Sequence, residues 1–266
     1  MIHHDRSIVT EIDLSKKTIL ITGALGAIAQ HIVSRLLAAG AFLVLTDKLE
    51  AAEASCKLAT WQLNSERYVY RQMDVSNGNA VSLVVEEAMD RFPNLDTVLG
   101  HAGGCGLHPF AMTSEEEFDR IFQFNFLAQT YLARAVLSAW TQKKIPGHLI
   151  FTSSYVARVP HTRIPAYATA KAALECLTKC LALEYAPSGI RVNAVSPGNV
   201  AAGSSLRVFN EDSEYHDFVL RVSPLRKRNS PESVADVFLF LASTMANEMT
   251  GQVVSVDMGV SIPKIG

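Results

Sequence analysis

No stretch of this sequence approaches the ~18 consecutive uncharged apolar residues that a membrane helix needs. The opening run Met1-Ile2-His3-His4-Asp5-Arg6 stays polar through Lys17 and lacks the apolar core of a secretory signal peptide. An excess of charge is missing too. The 24 Lys and Arg stand against 26 Asp and Glu, a net of −2, so there is no electrostatic case for nucleic acid or an anionic membrane as the main partner. Cysteine is scarce: the four, at 56, 105, 176 and 180, form no Cys-x-x-Cys pair and have no His at metal-ligand spacing, so no metal is expected. Cys176 and Cys180, four apart in a helical segment, read as small core-side residues. A reduced, cytoplasmic protein is the simplest account. Linkers and low-complexity breaks are absent as well, which argues against division of the chain.

What is present is enough apolar residue, 48% against 19% charged, for a folded protein with one large core in 266 residues. Apolar β-branched runs alternate with helical patterns. Strands are expected at 18–22, 42–46, 68–70, 97–99, 148–151, 191–195 and 253–256. Helices are expected at about 27–39, 49–64, 80–90, 167–185 and 231–242, with one long helix from a capped start at Ser114 to about Gln142. This rhythm implies a parallel sheet covered on both faces, a doubly wound α/β Rossmann fold in one domain spanning 1–266. The long stretch from about Asn199 to Asn229 reads as irregular, and a segment of that size is usually functional.

The first strand runs into Thr22-Gly23-Ala24-Leu25-Gly26-Ala27-Ile28-Ala29, where a dinucleotide-binding fold puts its phosphate loop. Glycine permits the tight turn and close backbone approach there, and the following helix N-terminus favours pyrophosphate. Gly-x-x-Gly alone is common; its position between first strand and first helix makes it informative. Asp47 ends the second strand, 24 residues after Gly23. A carboxylate there accepts ribose hydroxyls of NAD and repels a 2′-phosphate, although Lys48 next door leaves NADP open. Asp74-Val75 ends the third strand, where a side chain meets adenine or, alternatively, Asp74 caps the next helix. Small residues in Gly100-His101-Ala102-Gly103-Gly104 leave room for a flat ligand. Thr152, at the end of the fifth strand, joins the cofactor-side candidates.

Tyr167 and Lys171 lie four apart on one helical face. A nearby ammonium lowers a phenol's pKa from ~10 toward working pH. Ser154, 13 residues upstream at a strand end, offers a hydroxyl to hold a substrate oxygen opposite the tyrosine. Ser153 is the runner-up. Tyr-x-x-x-Lys is frequent on helix surfaces, and it is the combination with Ser154 and the glycine loop that points to chemistry.

These residues, together with Asn125, Asn193, Pro197-Gly198 and Gly251-Gln252 through Val256-Asp257, resemble the short-chain dehydrogenase/reductase family over nearly the whole chain. The resemblance implies a seven-stranded Rossmann subunit, usually in a homo-oligomer (a tetramer or dimer). It makes Tyr167 the general acid/base, Lys171 the residue that lowers its pKa and binds the nicotinamide ribose, and Ser154 the holder of the substrate oxygen. It gives Asn125 a place in a proton relay and sets Pro197-Gly198-Asn199-Val200 beside the nicotinamide. Four departures stand out. Ala27 and Ala29 occupy the places of loop glycines. Gly100-His101 replaces a pair of asparagines that tie strands together. Ala202 replaces a threonine that contacts the nicotinamide carboxamide, with Ser204 or Ser205 as substitutes. Asp257-Met258-Gly259 replaces Asp-Gly-Gly.

Substrate contacts are expected from Cys105 and His108, from Val156, Arg158, His161 and Arg163, and from Asn199, Arg207, Phe209 and Tyr215. The set suits a polar carbonyl compound or polyol better than a long acyl chain. The expected activity is hydride transfer between NAD and a small-molecule alcohol or ketone. The alternatives are an NADP-dependent carbonyl reductase and a non-catalytic dinucleotide-binding regulator.

Overall fold

The computed structural model describes residues 12–262, excepting the side chains of Ser204, Arg207 and Val208. The polar start of the chain lies outside them. Seven strands are described: β1 (Thr18–Thr22), β2 (Phe42–Asp47), β3 (Tyr68–Gln72), β4 (Leu95–Gly100), β5 (His148–Thr152), β6 (Arg191–Pro197) and β7 (Val253–Val256). They form one sheet in the order β3-β2-β1-β4-β5-β6-β7, and every pairing is parallel. The strands read as continuous apolar runs because both faces are covered. Alternate residues serve opposite cores. Leu20, Val44, Val98, Leu149 and Val192 pack against α3 (Gly78–Arg91), α5 (Ala128–Lys143) and α6 (Pro165–Tyr185). Ile19, Ile21, Leu43, Leu45, Leu99 and Ile150 pack against α1 (Ala27–Ala38), α2 (Ala51–Ala59) and α9 (Pro231–Ala242). No described helix is long and apolar enough to cross a membrane.

The chain leaves β1 toward β2 and β3, then crosses back to β4 on the other side. The crevice outside the strand ends at this switch point is where doubly wound folds bind ligands.

Several expectations need correction. The long helix from Ser114 is broken into α4 (Glu115–Phe122), a π turn at Gln123–Leu127, and α5. One extra residue in the turn rotates Asn125 inward, where it is fully buried. The stretch read as irregular contains α7 (Gly203–Glu211) and α8 (Ser213–Val222). Asp212 separates them, its carboxylate capping α8 by accepting from Tyr215 N–H at 2.9 Å. A bridge between Val200 and Asn229 closes the base of this segment. The cap of α3 is Asn77, which accepts from the N–H groups of Asn79 and Ala80; Asp74 instead accepts from Ser76 N–H in a tight turn. Cys176 and Cys180 are exposed, because the buried face of α6 runs through Ala170, Leu174, Thr178 and Ala182. Met258 holds the left-handed conformation (φ 56°) at the position where the family pattern has glycine.

Candidate active site

A cavity of about 520 Å³ opens at the switch point. Its wall includes Asp47, Asp74 and Val75 at one end and Ser154, Tyr167 and Lys171 at the other. Between them run Gly23, Leu25, Gly26, Ala27 and Ile28 of the glycine loop, then Ala102, Gly103, Thr152, Pro197, Gly198 and Val200.

The loop is built for close approach. Gly23 has φ 63°, and a side chain there would meet Ala102 Cα at 2.8 Å. Gly26 caps α1 without a side-chain bond, which leaves the first N–H groups of the helix facing the cleft. Asp47 Oδ2 accepts from Leu25 N–H at 3.1 Å, so the carboxylate steadies the loop while it lines the cavity. Lys48 and Lys57 line the same end. The two alanines at glycine positions diverge. Ala29 is fully buried in the core beneath α1, whereas Ala27 is exposed on the cavity wall opposite Gly203 of α7. These features fit a dinucleotide: a glycine cradle, uncapped helix donors and a carboxylate at the ribose end.

The ends of β1 and β4 are pinned together. Thr22 Oγ1 accepts from His101 N–H and Ala102 N–H, each at 3.1 Å. The strand-tying role of the missing asparagines falls to His101, whose Nδ1 lies 2.9 Å from Thr152 Oγ1 on β5. Burial, with a smaller contribution from Lys171, pushes the His101 pKa down to about 4, so the ring is neutral near pH 7.

At the chemical end Lys171 is 2% exposed and donates to the Thr152 carbonyl at 2.7 Å. Its ammonium stands 5.6 Å from the centre of the Tyr167 ring. Burial pushes the Lys171 amine down to about 8. The expectation of a lowered Tyr167 pKa is not met in this state: burial raises the phenol, with Cys105 adding to it, and the Ser154 hydroxyl only partly offsets this. Desolvation of the phenolate outweighs an amine that sits over the ring face. Cys105 lines the cavity too, from an exposed position at its rim.

The two serines separate clearly. Ser153 Oγ donates to Glu175 Oε1 at 2.9 Å, inside an ion pair of Glu175 with Arg158 at 2.9 Å. Both serines line the cavity with Tyr167, but the Ser153 hydroxyl is committed to Glu175, whereas Ser154, 8% exposed, has no side-chain acceptor of that kind beside it among the described residues. Asn125 stands one layer behind the wall. Its Nδ2 donates to the carbonyls of Gly104 (2.8 Å) and Ile121 (2.9 Å), and its Oδ1 accepts from Gly104 N–H at 3.1 Å. A methyl on Gly103 would come within 2.9 Å of Asn125 Oδ1 and 3.2 Å of Lys171 Nζ, so glycine is required where these groups meet.

On the substrate side, Cys105, Val156, His161, Asn199 and Tyr215 line the cavity. Arg158 does not, because it ties α6 to β7 through Glu175 and Ser255. His108 and Arg163 meet through their backbones (2.7 Å) outside it, and Phe209 stacks under Arg228 at 4.3 Å. Arg207 and Ser204 have side chains outside the described set. Ala202 and Ser205 both line the wall, and the Ser205 oxygen accepts from Arg228 at 2.9 Å. Sequence reasoning missed Tyr155 and Lys57. Tyr155 had a local signal, its place next to Ser154; Lys57 is brought to the site only by the chain's tertiary path.

A family profile described as enoyl-(acyl carrier protein) reductase matches residues 23–261. The chain is 29% identical over 252 residues to glucose 1-dehydrogenase 2 of Bacillus subtilis, covering 94% of this chain and 96% of that protein. It is 30% identical over 250 residues to 3beta-hydroxysteroid dehydrogenase 1 of Eggerthella lenta, covering 94% and 95%. Among solved structures it resembles a protein of Agrobacterium tumefaciens assigned as 2-deoxy-D-gluconate 3-dehydrogenase and bound to NADP, with a TM-score of 0.83, 25% identity and coverage of 93% and 97%.

Proposed function

The chain belongs to the short-chain dehydrogenase/reductase family of hydride-transfer oxidoreductases, and on that footing we propose that it is an NAD-dependent dehydrogenase acting on a polar alcohol or ketone. The observation that carries this reading is one continuous cavity holding Ser154, Tyr167 and Lys171 at one end and the Asp47 carboxylate at the other. When bound, the dinucleotide supplies the hydride acceptor or donor. The chain's own residues handle the proton. Ser154 Oγ holds the substrate oxygen beside the Tyr167 oxygen, which takes the proton as phenolate in oxidation and gives it back as phenol in reduction. A phenol held above its ordinary pKa is ready as an acid. To act as a base it must be pulled down by positive charge, and the Lys171 ammonium is the cation the chain itself supplies. Lys171 is anchored by the Thr152 carbonyl, in reach of a nicotinamide ribose by the family pattern. Asn125 acts from behind by fixing Gly104 and, by the same pattern, through a water of the proton relay.

The test is Tyr167→Phe. NADH binding, read by fluorescence, stays within about twofold of the parent, while NADH formation at 340 nm across polyols, hydroxy acids and steroids falls by about 10²–10⁴-fold. Turnover equal to the parent's would remove Tyr167 from the mechanism.

A second reading, NADP dependence, is favoured by Lys48 and Lys57 beside Asp47 and by the NADP held in the Agrobacterium protein. Parallel titrations decide between them. The Asp47 carboxylate predicts tighter NADH binding, and tighter NADPH binding would overturn that assignment. Assembly into a homo-oligomer, tetramer or dimer, and a cytoplasmic location complete the proposal; light scattering checks the first.

A further inference from the structure

Beyond the reacting groups, the substrate half of the cavity carries a polar cluster that hydride transfer leaves unused. The Tyr155 and Tyr215 hydroxyls both reach Asn199 Oδ1, at 3.4 and 3.3 Å. Asn199 is 7% exposed and Tyr155 5% exposed, yet both line the same cavity as Ser154 and Tyr167. The other half of the amide, Asn199 Nδ2, is buried and has no hydrogen-bond partner among the described residues. Buried amide donors are nearly always paired, so an orphan on a ligand cavity points to a missing acceptor. Two phenols converging on one amide oxygen fix the side chain's orientation and leave its N–H group unmatched.

The cluster is uncharged. Burial holds both phenols above their ordinary pKa and His161, also on the wall, below its own. Arg228, whose charge reaches Tyr215, gives Nη2 to the Val200 carbonyl and the Ser205 hydroxyl and lies over Phe209 outside the cavity wall. A carboxylate or phosphate on the substrate would therefore be desolvated here without a matching cation. The walls beside the amide are flat: the Tyr155 and His161 rings lie 28° apart with centroids 6.2 Å from each other.

We propose that Asn199, oriented by Tyr155 and Tyr215, is a second polar subsite that binds a neutral hydroxyl or carbonyl oxygen remote from the reacting carbon, and that the substrates are uncharged ring compounds with at least two oxygens. This deepens the dehydrogenase reading and rests on it. No additional covalent step is involved.

Matched ring ketones test the proposal: cyclohexanone against 4-hydroxycyclohexanone, and 4-oxocyclohexanecarboxylate as the charged member, each with NADH and NADPH. The parent should turn over 4-hydroxycyclohexanone with a kcat/KM about tenfold or more above that of the other two. Asn199→Ala should erase that preference, lowering kcat/KM for the hydroxyketone at least about tenfold more than for cyclohexanone. Tyr215→Phe, which leaves the backbone loop intact, should reduce the preference in the same direction. The proposal is overturned if the parent shows no preference, if the carboxylate is preferred, or if the variants lower both ketones equally. It is also overturned if a protein that binds NADH turns over none of the three. Failure to bind either cofactor would instead strike the dehydrogenase reading beneath it.

Discussion

Replacing Thr22 by Val isolates one polar clamp between the cofactor loop and the sheet. Thr22 is fully buried at the end of β1, and valine matches its shape, so packing changes little. What is lost is the acceptor for two backbone N–H groups, those of His101 and Ala102, together with a long donation to the Leu99 carbonyl at 3.4 Å. The two are not equal. His101 N–H retains the Leu99 carbonyl at 3.0 Å, whereas Ala102 N–H has Thr22 as its one partner among the described residues. One buried donor is therefore orphaned, at a cost of about 1–3 kcal/mol. Urea unfolding followed by far-UV circular dichroism should show that loss, and the Ala102 amide should exchange with deuterium about tenfold faster for each ~1.4 kcal/mol lost locally. Because Ala102-Gly103 forms part of the cavity wall, NADH affinity should weaken in the same variant. Stability within about 0.5 kcal/mol of the parent, with unchanged exchange at Ala102, would refute the reasoning.

The serine assignment predicts a split: Ser154→Ala should lower kcat by about 10²-fold or more, while Ser153→Ala should leave kcat within about twofold and lower stability by loosening Glu175. Equal losses in the two would contradict the separation of their hydroxyls. Acid sensitivity follows from His101. Its folded pKa of about 4 lies below the unfolded value of ~6.5, so the unfolded chain takes up a proton first, and stability present above pH ~6.5 is lost as pH falls toward 4. The gap corresponds to about 3 kcal/mol, and buried His148 acts with the same sign. Urea midpoints at pH 7 and pH 4.5 measure the slope, and His101→Gln should flatten it; an unchanged slope would mean that the ring is not held neutral.

Much of this molecule was legible before any coordinates, because the signals involved are local. Strands buried on both faces announce themselves as short apolar runs, and five of the helices showed in their periodicity. The glycine loop and the Tyr167–Lys171 spacing are each short enough for neighbours in sequence to be neighbours in space. The doubly wound class followed once parallel strands and right-handed crossovers were granted, whereas the order of the strands came with the tertiary structure. His101 stands directly after β4 where the family pattern has a strand-tying asparagine, which left a strand tie and a cofactor contact both open.

The remainder depended on contacts between distant segments. The 13-residue spacing to Tyr167 favoured Ser154 over Ser153, but the physical reason appears only when Glu175 arrives from α6 to take the Ser153 hydroxyl. Arg158 looked like a substrate contact until the same carboxylate and Ser255 claimed it. The π turn that buries Asn125 is a one-residue slip in helical register, invisible to periodicity and stabilised by Gly104, 21 residues away. The helices α7 and α8 read as irregular because Gly203 and Asp212 break the segment into two short pieces. Charge near a phenol is guessable from spacing, but desolvation is not, so the raised Tyr167 pKa needed the packed cavity. Composition and local spacing thus determined the fold class and pointed to candidate reacting groups, while long-range burial and hydrogen bonding decided which of several similar side chains are tied into the surrounding structure.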